Sequence, residues 1–266
     1  MTKINWFCGI NKMDENLFAD YSKMYEVAVL SAIQTNPNLQ PYLIFDGEDY
    51  EFEKKMRGLG VTVLKHKCSF SDSIINHYKD ERIQSVASGT FLRIDIPKIC
   101  QRENIECDYY LYTDNDVIFL KNIDDILNLK PKYFSCAGEF SKSFSHFGLN
   151  AGVMWVNKKQ MEDDYEIFVD FIKNNLDKFG VFDQDAYKLF YNGKVEELHY
   201  KFNYKPYWDK NNDISILHFH GPKPTYSDED VKIFRYTNLI TDFFFEMREK
   251  FHEIYDSYRL TNHTKF

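Results

Sequence analysis

The chain has 266 residues, a formal net charge of −8 at neutral pH, 44% hydrophobic residues and 28% charged residues. This composition is ordinary for a globular protein, and the length allows one sizeable hydrophobic core. Because general nucleic-acid-binding proteins more often carry a basic excess, the acidic balance argues against a nucleic-acid partner. No segment approaches about 18 consecutive apolar residues, so no membrane-spanning helix is expected.

The cysteines indicate a reducing compartment. There are five, an odd number, and none forms a Cys-x-x-Cys pair, which disfavours a zinc site. Residues 1–10 contain Asn5 within only a short apolar run, so they do not resemble a secretory signal peptide. We therefore expect a cytoplasmic protein. The cysteines are Cys8, Cys68, Cys100, Cys107 and Cys136.

The N-terminal part of the chain predicts alternating strands and helices. This rhythm favours a mostly parallel sheet with helices on both faces. Residues 65–87 show no clear periodicity and are predicted to be irregular. The helix that follows contains Pro97, which we expect to kink or restart it. In chain order, the predicted elements are strand 3–9, helix 17–35, strand 42–47, helix 50–58, strand 61–64 and helix 88–102.

The remainder of the chain predicts further strands between longer helices. A run of strand-forming residues, 109–113, is followed by two carboxylates, and 138–148 is predicted to be a mobile loop that closes over a ligand. From about residue 228 to residue 260 the chain is predicted to be largely helical. The other predicted strands are 133–137, 152–156, 195–198 and 214–219, and the predicted helices are 158–178 and 183–191.

The paired carboxylates Asp114 and Asp116 flank Asn115 at the end of the strand 109–113. Residues i and i+2 of a strand share a face, and a turn at its end can direct both side chains to one point. Two close carboxylates repel each other, and a divalent cation removes that penalty. The pattern therefore indicates a site for magnesium, manganese or calcium, with a polar turn as the alternative.

Three further motifs combine small and polar residues. Residues 150–152 (Asn-Ala-Gly) allow a ligand to approach the backbone closely, although such residues also serve tight packing. Residues 183–185 (Asp-Gln-Asp) suit a pocket at a helix start, although Asp183 is also a good N-cap. In 218–224 (His-Phe-His-Gly-Pro-Lys-Pro), a neutral imidazole can complete a metal site, and Lys223 can reach a phosphate.

In this order, the motifs Asp-x-Asp, Asn-Ala-Gly, Asp-Gln-Asp and His-x-x-Gly-x-Lys-Pro resemble the retaining glycosyltransferases of family 8. This family includes glycogenin and bacterial lipooligosaccharide galactosyltransferases, and the resemblance spans about residues 3–224. It implies an α/β fold of the GT-A type, a three-layer α/β/α sandwich with a mostly parallel, Rossmann-like central sheet and a C-terminal helical segment. The expected single domain, 1–266, has a nucleotide-binding part at about 1–120, an acceptor-side part at about 121–225 and a helical tail at about 226–266.

The resemblance also implies a reaction and its residues. The expected activity is metal-dependent, retaining transfer of a hexose from a UDP-sugar to a hydroxyl group of a glycan or glycoconjugate. Asp114, Asp116 and His218 match the ligands of Mn²⁺, with Mg²⁺ as the alternative ion and His220 as the alternative ligand. Gln184, Asp183 and Asp185 match the catalytic group at the sugar ring. The residues expected to bind the donor are Cys8, Gly9, Ile10, Arg93, Asn115, Asn150, Ala151, Gly221 and Lys223.

The sequence departs from the family pattern in three places, one of which is Thr225, in place of the tryptophan that often follows Lys-Pro. Gly221 and Lys223 are one residue closer together than is usual in the family. The acidic residue often found after the first strand is absent, with Asn11 or Asp14 as its substitute.

Two other functions fit single motifs. A haloacid-dehalogenase-type phosphatase would use Asp114 as nucleophile and Asp116 as acid and base, but Ile118 stands where Thr or Val is usual. A non-catalytic module that binds nucleotide sugars or glycans would retain the same polar residues.

Two groups of aromatic and apolar residues allow more than one interpretation. The segments 138–148 and 200–212 are candidates for the acceptor side, because aromatic rings stack on sugars, although such rings also fill hydrophobic cores. The C-terminal helix carries an apolar stripe that is expected to pack on the core, with peripheral docking to a membrane or a partner as the alternative. The stripe consists of Phe244, Met247, Phe251, Ile254, Tyr255 and Tyr258.

Overall fold

The structure is a computed structural model that describes residues 2–145, 148–180, 182–234 and 238–263, with side chains described as far as residue 260. Its strands are β1 (Ile4–Asn11), β2 (Leu39–Asp46), β3 (Thr62–Lys65), β4 (Tyr109–Thr113), β5 (Val117–Phe119), β6 (Phe134–Gly138), β7 (Leu149–Asn157), β8 (Glu196–Glu197) and β9 (Ile216–His218). Its helices are α1 (Glu15–Thr35), α2 (Tyr50–Gly58), α3 (Ser71–His77), α4 (Glu81–Phe91), α5 (Ile96–Glu103), α6 (Lys158–Lys173), α7 (Phe182–Phe190), α8 (Asp228–Phe234) and α9 (Asp242–His263).

A seven-stranded sheet in the order β3-β2-β1-β4-β7-β6-β8 forms the centre of the molecule. Within it β7 is antiparallel to both of its neighbours, and the other strand pairs are parallel. Along β1, Trp6 and Cys8 enter one hydrophobic cluster while Phe7 enters another, because successive side chains point to opposite faces. Burial on both faces gives the three-layer arrangement, so the predicted α/β fold with a mostly parallel sheet is confirmed.

The strands β5 and β9 form a separate antiparallel ribbon at the end of β4. Val117 is paired with His218, which brings the end of β9 next to the loop between β4 and β5. Behind the ribbon, Phe219 contacts Phe244 and Phe251 of α9 at ring-centroid distances of 6.1 and 6.2 Å. The apolar stripe of α9 therefore packs on the core at these residues, and α9 supports the ribbon.

The prediction of an irregular segment over 65–87 is wrong, because this segment contains α3 and the first part of α4. Asp80 caps α4 by accepting a hydrogen bond from the backbone N–H of Ile83. Three of the four buried residues of α4 are the small residues Ser85, Ala87 and Ser88, so few large apolar side chains mark the helix in the sequence. The burial of small residues explains why the sequence pattern did not reveal the helix.

Several predicted boundaries also change. The single helix predicted over 88–102 is instead the end of α4, a 3₁₀ turn at Leu92–Asp95 and α5. Pro97 lies in the first turn of α5, where a proline breaks no helical hydrogen bond. Of the predicted loop 138–148, Gly138 is the last residue of β6, residues 139–145 contain neither helix nor strand, and residues 146 and 147 lie outside the described residues. Within the described ranges, no helix combines the length and hydropathy needed to cross a membrane.

Candidate active site

The carboxylates Asp114 and Asp116 leave the end of β4 and meet His218 at the end of β9. Single ligand atoms from the three side chains all lie within 4.8 Å of one another. His218 Nε2 is 3.3 Å from Asp116 Oδ1 and 3.8 Å from Asp114 Oδ2. The backbone N–H of Asp114 donates to the carbonyl oxygen of Gly152 at 2.8 Å, which fixes the start of the turn against β7.

The chemistry of this cluster fits a divalent cation. Asp116 Oδ1 is buried and has no hydrogen-bond partner, although such atoms are normally satisfied. Burial lowers the pKa of His218 to about 4, although Asp116 opposes the shift, so the imidazole is neutral at physiological pH. Two carboxylates and a neutral imidazole form a donor set suited to manganese or magnesium.

Two cations balance the carboxylates. Lys223 Nζ lies 2.5 Å from Asp116 Oδ2, and Arg93 Nη2 lies 2.7 Å from Asp114 Oδ1. Burial alone would raise the pKa of Asp116, but neighbouring positive charge, that of Lys223 first, holds this pKa well below its usual range. The pKa of Lys223 is raised by Asp116 in spite of its own burial. Lys223 and Arg93 thus lie where a diphosphate bound beside the cation would need positive charge.

Arg93 connects the carboxylates to the next two motifs. Its Nη1 donates to the carbonyl oxygen of Ala151, and its Nε lies 3.0 Å from Asp183 Oδ2. Asp183 Oδ2 has no hydrogen bond, so this contact is an ion pair with imperfect geometry. Burial raises the pKa of Asp183 from 3.8 to about 6, although Arg93 opposes the shift.

Gln184 joins α7 to β7 and to the loop after β6. Its Oε1 accepts from Ala151 N at 3.0 Å and from Asn150 Nδ2 at 3.2 Å. Its Nε2 donates to Glu139 Oε1 at 2.9 Å. Asp185, in contrast, accepts from the backbone N–H of Gly180 at 2.9 Å and lies 3.7 Å from Lys188. Asp183 and Gln184 thus join the central network, whereas these contacts of Asp185 lie within its own segment.

A cavity of about 170 Å³ opens beside the carboxylates, between the end of β1, α1 and α4. Asn11 is buried at its wall and donates to the carbonyl oxygen of Ser85 at 2.6 Å, while Asp14 caps α1 instead. Cys8 is fully buried and is not part of the lining, and Gly221 adopts a φ of 94° in the turn after β9. The lining includes Gly9, Ile10, Asn11, Tyr21, Val86, Gly89, Thr90, Arg93, Tyr112, Asp114, Asn115, Asp116 and Lys223.

Comparison with known proteins identifies the family of this chain. A family model described as "Glycosyl transferase family 8" matches residues 16–224. The chain belongs to glycosyltransferase family 8. It is therefore a glycosyltransferase, and its membership favours this activity over the phosphatase and binding-module alternatives.

Solved structures share the GT-A fold of this glycosyltransferase at low sequence identity. The galactosyltransferase LgtC, in complex with donor and acceptor sugar analogs, has a TM-score of 0.69 at 16% identity, covering 96% of each chain. An active-site mutant of LgtC has a TM-score of 0.70 with the same identity and coverage. The apo form of GlyE from Streptococcus pneumoniae TIGR4 has a TM-score of 0.64 at 18% identity, and the match covers 98% of this chain but 64% of GlyE. No curated protein sequence matches the chain.

The two histidines of the fourth motif have different surroundings in this glycosyltransferase. His220 lies outside the acidic cluster found among the described residues, with its Nε2 3.5 Å from Glu139 Oε1 and its Nδ1 2.9 Å from Tyr207 OH. Tyr207 OH also donates to the carbonyl oxygen of Glu139 at 2.8 Å. His218 is thus the better candidate for the metal ligand, and His220 contacts the side where Gln184 is anchored.

Sequence reasoning missed Glu139, Asn203 and Lys205. Glu139 lies in a loop whose pattern carries no motif, and Asn203 and Lys205 lie in an aromatic-rich segment. Lys205 is fully buried, which is rare for lysine, and burial lowers its pKa to about 7. No pattern in a single sequence distinguishes such a lysine from an exposed one.

Proposed function

We propose that this glycosyltransferase moves a hexose from a UDP-sugar to a hydroxyl group of a glycan or glycoconjugate, with retention at the anomeric carbon and with dependence on a divalent cation. The observation that supports it most strongly is the convergence of Asp114, Asp116 and His218, with one buried carboxylate oxygen lacking a partner. LgtC, a galactosyltransferase with the same fold, has been crystallised with donor and acceptor sugar analogs.

The chain provides positive charge where the departing diphosphate would carry negative charge. When bound by Asp114, Asp116 and His218, Mn²⁺ or Mg²⁺ supplies Lewis-acid stabilisation of that charge. Lys223 would exchange its contact with Asp116 for one with a phosphate oxygen. Arg93 is held by Asp114, Asp183 and Ala151, so it would orient the donor without rearranging.

Retention at the anomeric carbon is best explained by attack on the face that the phosphate leaves. A double displacement needs a nucleophile on the opposite face, and the amide of Gln184 is a poor one. Asp183 is buried and paired with Arg93, which also reduces its nucleophilicity. We therefore propose that the acceptor hydroxyl attacks on the phosphate side and that the departing phosphate oxygen takes its proton.

The acceptor side is proposed to lie at the contact between the loop after β6 and the segment 200–212. Tyr207 and Trp208 donate hydrogen bonds to the carbonyl oxygens of Glu139 and Phe140, so the two segments form one surface. The ring of Phe140 is 65% exposed and lies beside His220. An exposed aromatic ring next to hydrogen-bonding groups suits a sugar acceptor.

The variant Asp116→Asn tests the proposed function. It removes one charge from the cation site and leaves Lys223 without its counter-ion, so we expect at least a tenfold loss of Mn²⁺ affinity and a larger loss of sugar transfer. Donor hydrolysis and transfer are measured over a panel of nucleotide sugars with and without Mn²⁺, and NMR of the product gives its stereochemistry. Full, metal-dependent transfer by the variant would contradict the metal role, and an inverted product would contradict retention.

A further inference from the structure

A fully buried lysine lies directly behind the proposed metal ligand, and the proposed reaction gives it no role. Lys205 Nζ is 3.0 Å from Asn150 Oδ1 and 3.4 Å from His218 Nδ1, and it also donates to Asn203 Oδ1. All of its surroundings are protein, because its exposed fraction is 0%. A lysine is seldom buried unless its hydrogen bonds are satisfied, and here two amide oxygens accept from its amine.

The amine of Lys205 determines the orientation of the carboxamide groups around it. In either protonation state it has at least two hydrogens, which is enough for one bond to Asn150 Oδ1 and one to Asn203 Oδ1. The oxygen of each carboxamide must therefore face Lys205, and the nitrogen must face elsewhere. Asn203 Nδ2 accordingly donates to Asn150 Oδ1 at 2.9 Å, and Asn150 Nδ2 donates to Gln184 Oε1 at 3.2 Å.

The orientation of Asn203 determines which nitrogen of His218 carries the proton. Asn203 Oδ1 lies 2.9 Å from His218 Nδ1, and a carbonyl oxygen can only accept a hydrogen bond. Nδ1 must therefore carry the hydrogen, which leaves a lone pair on Nε2, the nitrogen that faces Asp114 and Asp116. Partners of this kind commonly fix the tautomer of a metal-binding histidine.

We propose that Lys205 is a positioning residue that, through Asn203, holds His218 as the Nδ1–H tautomer and so keeps Nε2 available for a metal ion. The part that concerns the metal depends on the proposed function, whereas the tautomer does not. Without Lys205, the carboxamide of Asn203 could turn its nitrogen toward His218, and Nε2 would then carry the proton. The same lysine orients Gln184 through Asn150, so one buried amine organises both halves of the site.

The test compares Lys205→Met with Lys205→Arg and a matched control. Methionine has a similar length but no hydrogen to donate, whereas arginine retains the donors. Lys158→Met is the control, because Lys158 is also largely buried but pairs with Glu162 on the surface of α6. The tautomer of His218 is read from two-bond ¹⁵N–¹H correlation spectra of histidine-labelled, metal-free protein, with His218→Asn used to assign its signals among the eight histidines. Mn²⁺ affinity is measured by electron paramagnetic resonance.

We expect the wild type, Lys205→Arg and Lys158→Met to show the Nδ1–H tautomer. Lys205→Met should show the Nε2–H form, alone or in a mixture, and should bind Mn²⁺ at least tenfold more weakly, a loss typical for residues behind a metal ligand. The wild-type spectrum tests the inference even if Lys205→Met does not fold, because an Nε2–H tautomer of His218 in the wild type would overturn it. A folded Lys205→Met protein that kept the wild-type tautomer of His218 and the wild-type affinity for Mn²⁺ would also overturn the inference. Wild-type protein that has the Nδ1–H tautomer but binds no Mn²⁺ would contradict the proposed function and support the assignment of the tautomer.

Discussion

Gly152 lies where the backbone of β7 comes closest to the acidic cluster. A Cβ atom at this position would be 2.1 Å from His218 Cε1 and 2.9 Å from Asp114 Oδ2, closer than real Cβ contacts. We predict that Gly152→Ala displaces His218 and lowers sugar transfer on the order of 100-fold, because misplacement of a catalytic group by about 1 Å has such effects. Initial rates and Mn²⁺ affinity measure the loss.

Gly58→Ala is the matched control for this prediction. A Cβ atom at Gly58, in α2, would have no heavy atom within 4 Å, so its rate and Mn²⁺ affinity should equal those of the wild type. If Gly152→Ala also kept the wild-type values, His218 would not need its observed position, and the proposed metal site would lose its geometric basis.

Single residues show what sequence reasoning can and cannot find at the site. Asp114, Asp116 and His218 were predicted as one cluster because their motifs occur in a recognisable order, and the structure brings them together. Lys205 was not predicted, because a lysine among aromatic residues is usually exposed.

The contact between α7 and the 3₁₀ turn at Leu92–Asp95 predicts a pH dependence. Asp183, at the start of α7, faces Arg93 of that turn, and burial raises its pKa to about 6, above the value of 3.8 expected in the unfolded chain. The folded form thus holds this proton more tightly, so the stability that Asp183 contributes is full below its unfolded pKa and is lost as the pH rises through about 6. Asp183→Asn removes the titration.

We therefore predict that the wild type loses roughly 1 kcal/mol of unfolding free energy relative to Asp183→Asn between about pH 5 and pH 7.5. Urea denaturation of both proteins across this range measures the difference. Parallel pH profiles, or a wild type that gains stability relative to the variant, would show that Asp183 does not have a raised pKa in the folded protein.

The elements that were predicted and those that were missed differ in how they are buried. The strands β1, β2 and β4 each contain an apolar run, at 6–10, 42–45 and 109–112, and such runs are typical of a sheet covered on both faces. α4 was missed because it packs on β1 through small residues. A Cβ atom on Gly9 of β1 would lie 3.1 Å from Leu92 Cβ, a tight contact, and 3.6 Å from the carbonyl oxygen of Gly89, so β1 and this segment approach each other closely. Small residues on the buried face of α4 leave few of the large apolar side chains by which most helices are recognised.

At the scale of the whole molecule, the site joins parts that are distant in sequence. Asp116 follows β4, Lys223 follows β9, and the ion pair between them spans 107 residues. The α9 helix supports this junction through Phe244 and Phe251 behind Phe219. A ligand that contacts both Asp116 and Lys223 should therefore stabilise the whole fold against unfolding, and not only the residues that it touches.

This linkage predicts how the melting temperature responds to ligands. At a concentration of about 100 times its dissociation constant, a ligand adds about 2.7 kcal/mol of stability, which corresponds to roughly 5–10 °C for a chain of this size. We expect a shift of this order when Mn²⁺ and UDP are added together, and a smaller shift with either alone, because the cation and the diphosphate compensate each other's charge beside Asp116 and Lys223. Differential scanning fluorimetry measures the shifts, with Asp116→Asn as the comparison. An equal shift in that variant would place the ligands elsewhere, since Asp116 contributes both a buried oxygen and the counter-charge of Lys223.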